Sequence, residues 1–138
     1  MHITILNGFR VALVSFATNA FVRFDFLASF DKNTVKSNIL SAVYQATGTN
    51  TGRALDLART ALLTLSAGYR GGKAVVIVVT DGQTQETATV LSTAANSIQQ
   101  VAEVFAVGVG QDVVLSELAV IASAPSSSHV YKIGRAHV

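Results

Sequence analysis

The sequence predicts an α/β domain: a doubly wound, mostly parallel central sheet with helices on both faces. Three observations predict it. Two runs, AVVIVV within Lys73–Thr80 and VFAVGV at Val104–Val109, are apolar throughout, as strands covered on both faces are. Segments with apolar residues at helical spacing stand between the strand runs. Strand and helix then alternate along the chain, the order of right-handed crossovers around a parallel sheet.

The elements follow in order. Arg10–Ala17 (RVALVSFA) is dense in branched and aromatic residues and reads as a strand. Phe21–Phe26 (FVRFDF) alternates, with Val22, Phe24 and Phe26 on one side and Phe21, Arg23 and Asp25 on the other, which suits an edge strand. Thr18-Asn19 joins the two as a hairpin turn. Asn33–Ala46 is a helix with Val35, Ile39, Leu40 and Val43 inward and Asn33 or Thr34 as cap. A polar loop, Thr47–Gly52, leads to a second helix, Gly52–Leu65, with Leu55, Ala58, Leu62 and Leu65 as its apolar stripe. Arg53, Asp56 and Arg59 form a polar row on it. After the Lys73–Thr80 strand, Thr84–Ala102 is a helix with Val90, Leu91, Ala94, Ile98 and Val101 inward. Val113–Ala122 is a helix with Leu115, Leu118 and Ile121 or Ala122 inward. Ala124–Ser128 is a loop, Val130–Ile133 a short last strand, and Gly134–Val138 an unpatterned tail. Residues 1–133 thus read as a single domain.

Composition excludes several classes. The 138 residues allow one domain. Half are hydrophobic and 13% charged, which excludes compositional disorder. The absence of Cys excludes a disulfide framework and thiolate metal sites. The net charge of +2 comes from scattered residues with no basic cluster, so no nucleic-acid partner is expected. Ala74–Val79, the longest apolar run, is far short of a membrane segment. The start, Met1–Gly8, lacks the basic residues and long apolar stretch of a signal peptide.

Ligands of open α/β sheets bind beyond the carboxyl ends of the strands. There the sequence places Thr80-Asp81-Gly82, Ser15-Phe16, Gly108 and Gly110, with Thr49 and Thr51 just ahead of a helix. Hydroxyls and a carboxylate are hard oxygen ligands and suit Mg2+. A strand-end Asp is equally a turn former or cap, and Thr49 equally one hydroxyl of a capping loop. Gly108-Val109-Gly110 lacks the third glycine of a dinucleotide fingerprint, and Gly71-Gly72-Lys73 precedes a strand where a phosphate loop precedes a helix. There is no G-x-S-x-G, and His2, His129 and His137 read as surface or terminal residues, so no catalytic triad is expected.

RVALVSFA, GTNTGRAL (Gly48–Leu55), VIVVTDG (Val76–Gly82), VFAVGVG (Val104–Gly110) and Leu118–Ala122 before a last strand, in this order and spacing, resemble the von Willebrand factor type A domain. The resemblance covers Phe9 to Ile133 and looks closest to extracellular members such as those of matrilins, collagens and integrins. It implies a protein-binding or adhesion module of a matrix or cell-surface protein, extracellular within a longer multidomain chain, and not an enzyme. It also implies a metal-ion-dependent adhesion site for Mg2+, completed by an acidic side chain of a protein partner. On this chain the resemblance gives the metal-ligand roles to Thr49 and Asp81.

The chain departs from the family in two respects. None of Asp25, Asp31, Asp56, Asp81 and Asp112 opens the Asp-x-Ser-x-Ser loop, and the strand that should precede RVALVSFA, central in the family's sheet, is absent. The expectation is an N-terminally truncated domain whose Mg2+ binding is weak or absent. An incomplete gene product, a substitute strand at His2–Leu6 turned by Asn7-Gly8, and the end of a lost helix are the three readings of that start. The alternative function is a metal-independent structural or assembly domain of the same fold.

Overall fold

The computed structural model describes residues 9–43 and 45–134. Strands β1 (Leu13–Phe16) and β2 (Ala20–Phe24) form an antiparallel hairpin with Phe16 opposite Ala20 and Leu13 opposite Phe24. Its turn is Ala17-Thr18-Asn19, which contains the expected Thr18-Asn19 and takes Ala17 out of the strand. Both strands are shorter than the expected Arg10–Ala17 and Phe21–Phe26, because the flanking residues bond elsewhere. The Ala17 carbonyl accepts from the Asn50 amide at 2.8 Å, and the Phe26 amide donates to Ala67 O at 3.0 Å.

Strands β3 (Val75–Thr80), β4 (Glu103–Val109) and β5 (Val130–Ile133) form a parallel sheet in that order. Val75 pairs with Glu103, Thr80 with Gly108, and Val109 with Ile133. Among the described residues β1 and β3 do not pair, so the expected single sheet stands as a two-stranded and a three-stranded section. The break falls where the resemblance puts a strand ahead of RVALVSFA. The reading of His2–Leu6 as a substitute lies outside the described residues, as do residues 135–138 of the tail.

The helices are shorter than their sequence patterns, and their ends show why. Helix α1 (Lys32–Leu40) is capped by Asp31, not by Asn33 or Thr34: the Asp31 carboxylate accepts from the Thr34 amide at 2.8 Å and from its hydroxyl at 2.9 Å. It ends at Leu40, so of the expected stripe only Val35 is buried, while Ile39, Leu40 and Val43 are exposed. Helix α2 (Thr51–Leu57) widens into a π-helical turn, Ala58–Leu62, and a 3-10 turn follows at Leu65–Ala67. Leu55 and Leu62 are buried, but the break in helical phase turns Leu65 outward, 84% exposed.

Helix α3 (Ala88–Gln99) starts at its cap Thr87, whose hydroxyl accepts from the Val90 amide at 3.3 Å. Leu91, Ala94 and Ile98 face inward as expected, joined by Ala95; Val90 and Val101 lie off that stripe and are exposed. Helix α4 (Leu115–Ile121) buries Leu118 and Ile121 but exposes Leu115 in its first turn. Helix α5 (Ser126–His129) is a single turn inside the expected loop Ala124–Ser128.

The core lies between the β3–β5 sheet and helices α3 and α4. Val78, Val104 and Ala106 meet Leu91, Ala94, Ala95, Ile98, Leu118 and Ile121. Alternation along a strand sends successive side chains to opposite faces. Val75, Ile77 and Val79 therefore share the other face, and they are 53%, 65% and 57% exposed. The expectation that AVVIVV is covered on both faces is corrected: its apolar run packs on one face only among the described residues.

Candidate functional site

Three loops meet above the carboxyl ends of the strands, and backbone hydrogen bonds fasten them. The Thr47–Gly52 loop is tied to the end of β1: the Thr18 amide donates to Thr47 O at 2.6 Å, and the Asn50 amide donates to Ala17 O at 2.8 Å. The Asn50 side chain adds a bond to Thr18 O at 2.8 Å. Gly48 makes the approach with φ of +64°; a Cβ there would stand 2.6 Å from both Gln85 Oε1 and Thr18 Oγ1. The Thr49 carbonyl accepts from the Gln85 amide at 3.0 Å, which brings the loop against the segment that leaves β3.

The structure thus brings Thr49 and Asp81 into the same loop cluster. A Cβ on Gly82, next to Asp81, would lie 3.4 Å from Thr49 Oγ1. Asp81 is exposed, and the preceding Thr80 is buried with its hydroxyl turned to Gly82 O at 3.2 Å. Thr51 is fully buried, and its Oγ1 has no hydrogen-bond partner among the described residues. The other strand-end candidates are not brought in. Ser15 accepts from Arg23 Nε of β2. Gly108 is needed for packing: a Cβ would lie 2.7 Å from Leu118 Cδ1 and 2.9 Å from Val113 Cγ2.

Sequence reasoning missed Glu86, the group that joins these loops. Its Oε2 accepts from the Gly52 amide at 2.6 Å, and its Oε1 accepts from the Arg53 amide at 3.1 Å. A carboxylate here satisfies amides that the first turn of α2 leaves open and suits the positive end of the helix. Thr84 donates its hydroxyl to the same Oε2 at 3.2 Å, while its amide donates to Glu117 Oε1 at 2.9 Å. Glu86 lies 34 residues from Gly52. Only Gly52 offers a sequence hint: a Cβ there would stand 2.7 Å from Glu86 Oε2.

As a cation site the donor set is partial. It holds the Asp81 carboxylate and the Thr49 hydroxyl, and no cluster of three or more His, Asp or Glu able to hold a metal ion occurs among the described residues. Mg2+ demands a nearly octahedral shell of oxygens. The described residues do not make up a complete resident Mg2+ site.

His129 differs from its sequence expectation as a surface residue. It is buried at the end of α5, stacked on Phe105 with ring centroids 4.7 Å apart. His2 and His137 lie outside the described residues.

Comparison with known proteins agrees with this geometry. The family model of the von Willebrand factor type A domain matches residues 6–136. Matrilin-3 of Gallus gallus is 34% identical over 128 residues, which cover 90% of this chain and 28% of that protein. Matrilin-1 of Mus musculus is 36% identical over 128 residues, covering 90% of this chain and 25% of that protein. Among solved structures, proximal thread matrix protein 1 from the mussel byssus superposes with a TM-score of 0.83 at 26% identity, over 94% of this chain and 33% of that one. A second structure of that protein, with a zinc-occupied MIDAS motif, gives 0.79 at 25% identity, over 95% of this chain and 34% of that one. The chain therefore spans about a quarter to a third of the proteins it matches. With the parallel β3–β5 sheet, the Thr49 loop set against the end of β3, and a match over nearly its whole length, the chain belongs to the von Willebrand factor type A domain family.

Proposed function

We propose that the chain is a protein-binding adhesion module of an extracellular matrix protein and has no enzymatic activity. The observation that carries this reading is the likeness to matrilin domains over 90% of the chain. Residues 1–133 act as one domain with 134–138 as a tail, within a longer, secreted, multidomain parent. The partner is a protein, engaged through the loop cluster around Thr49 and Asp81.

A complete family site would offer a cation to an acidic side chain of the partner. The partial donor set supports weak or absent Mg2+ binding by this chain. The second reading, a metal-independent structural or assembly domain, is favoured by Glu86, whose carboxylate joins α2 to the β3–α3 loop through direct hydrogen bonds.

Thermal unfolding followed by circular dichroism, with and without Mg2+, separates the two. A site with a Kd of about 1 mM would add about 1.4 kcal/mol at about 10 mM Mg2+ and raise Tm by about 5 °C. We expect no such rise. If one occurs, Asp81→Ala should abolish it and Thr49→Ala should reduce it. Binding to immobilised matrix proteins that survives a chelator supports the metal-independent reading, whereas binding lost to the chelator supports the cation-dependent one.

A further inference from the structure

The lower end of the parallel sheet, opposite the Thr49–Asp81 loops, carries a second polar constellation. It draws on three separate stretches of chain. Lys73 precedes β3, Glu103 opens β4, and His129 ends α5 immediately before β5. Lys73 Nζ stands 2.6 Å from Glu103 Oε2, and His129 Nε2 stands 3.1 Å from Glu103 Oε1. The other ring nitrogen, Nδ1, is 2.9 Å from Pro125 O and 3.0 Å from Ser128 Oγ.

The Glu103 carboxylate and the Pro125 carbonyl together favour the doubly protonated ring. Nε2 faces a carboxylate and Nδ1 faces a carbonyl, and both are acceptors only. A neutral imidazole has one N–H and can serve one of them; the imidazolium serves both. Loss of the proton gives up either the charge-assisted bond to Glu103 or the bond to the Pro125 carbonyl, and only the Ser128 hydroxyl at Nδ1 can donate in exchange.

We infer that Lys73, Glu103 and His129 form a proton-operated latch that fastens α5 and β5 to the sheet when His129 is charged and loosens them when it is neutral. The elements packed around His129 bring few other titratable groups to it. Glu103 and Phe105 come from β4, and Lys73 from the approach to β3. From β5 comes Tyr131, whose hydroxyl donates to Ser128 O at 3.0 Å. The end of α3 contributes Gln99 and Gln100, which are uncharged, and Lys132 lies on the opposite face of β5. An open cleft of about 480 Å³ beside Lys73, Glu103, Ser123 and His129 gives water a route to the ring.

The direction of the effect follows from the hydrogen bonds. The Pro125 carbonyl, then Glu103, holds the His129 imidazole above the ordinary histidine range. Its stabilisation is complete below the unfolded value of about 6.5 and is lost as pH rises through the folded value. Lys73, then His129, holds the Glu103 carboxyl below its ordinary 4.5. Its stabilisation is present above that value and is lost as pH falls through the folded one. The latch is closed most firmly between about pH 4.5 and 6.5.

The test uses the whole chain. Ring nitrogen chemical shifts of His129, followed by NMR across pH 5.5 to 8.5 (about one unit below the free value to two above), should show a doubly protonated ring at the acid end and a midpoint above the free value. Amide exchange of Val130–Ile133, corrected for intrinsic rates, should lose protection through the same midpoint. His129→Gln should abolish that pH dependence. Glu103→Gln, which keeps an acceptor but removes the charge, should move the ring midpoint down towards the free value. A wild-type ring that is neutral below about pH 6.5, or β5 protection that follows the same pH profile in wild type and His129→Gln, would overturn the latch. The ring titration is made on the unmodified protein, so the inference stands or falls even where a variant does not fold.

Discussion

At the scale of single residues, exposure separates side chains that the sequence treats alike. Ile98 and Leu65 both occupy apolar helical positions, yet Ile98 is fully buried and Leu65 is 84% exposed. Ile98→Ala should cost about 2–5 kcal/mol in urea unfolding, because the removed atoms leave a cavity between α3 and the sheet. Leu65→Ala should stay within about 0.5 kcal/mol. Gly108 works the other way, since the missing side chain is what admits Leu118 and Val113. Gly108→Ala should cost about 1–3 kcal/mol by overpacking, read as a lower denaturation midpoint with an unchanged slope. The sequence marked Gly108 as a strand-end glycine; only the packing of α4 shows which neighbour requires it.

At the scale of elements, existence and type were legible, while the ends were set by contacts the pattern does not encode. Every predicted strand and helix segment is present at its place, because apolar period is a local property of the chain. The ends moved by a few residues where a cap or a distant carbonyl took the backbone groups. Asp31 rather than Asn33 or Thr34 caps α1, and α3 starts after its cap Thr87 and not at Thr84. Thr84 is instead held by Glu117 and Glu86, from α4 and from its own loop. Thr87→Ala should cost about 1 kcal/mol and lower the thermal midpoint by a few degrees, because the Val90 amide loses its acceptor. Circular dichroism at equal temperature below the transition should show little change in helix content, since the interior of α3 is anchored by Leu91, Ala94, Ala95 and Ile98.

At the scale of the whole molecule, two features dominate. The strand order is interrupted between β1 and β3 among the described residues, and the face of β3 opposite the core presents Val75, Ile77 and Val79. Tyr131 and Ile133 of β5 are exposed on the same face. A contiguous apolar surface of this kind drives association. Size-exclusion chromatography should therefore show a concentration-dependent shift to larger species. Ile77→Lys should reduce that shift with little loss of monomer stability, because the side chain is already mostly in water.

The sequence by itself determined the fold class, the family, and the two residues, Thr49 and Asp81, that share the upper loop cluster. The fold class rests on local order, the apolar period along the chain; the family and the choice of Thr49 and Asp81 rest on the motifs that carry the resemblance. Tertiary structure alone decided three other matters. It paired Glu86 with the first turn of α2, turned His129 from a surface residue into a buried partner of Glu103, and gave AVVIVV one covered face instead of two among the described residues. Each depends on which distant segment lies opposite a given side chain. A carboxylate 34 residues from the amides it caps leaves no periodic trace in either segment, and only the folded chain brings the two within hydrogen-bonding distance.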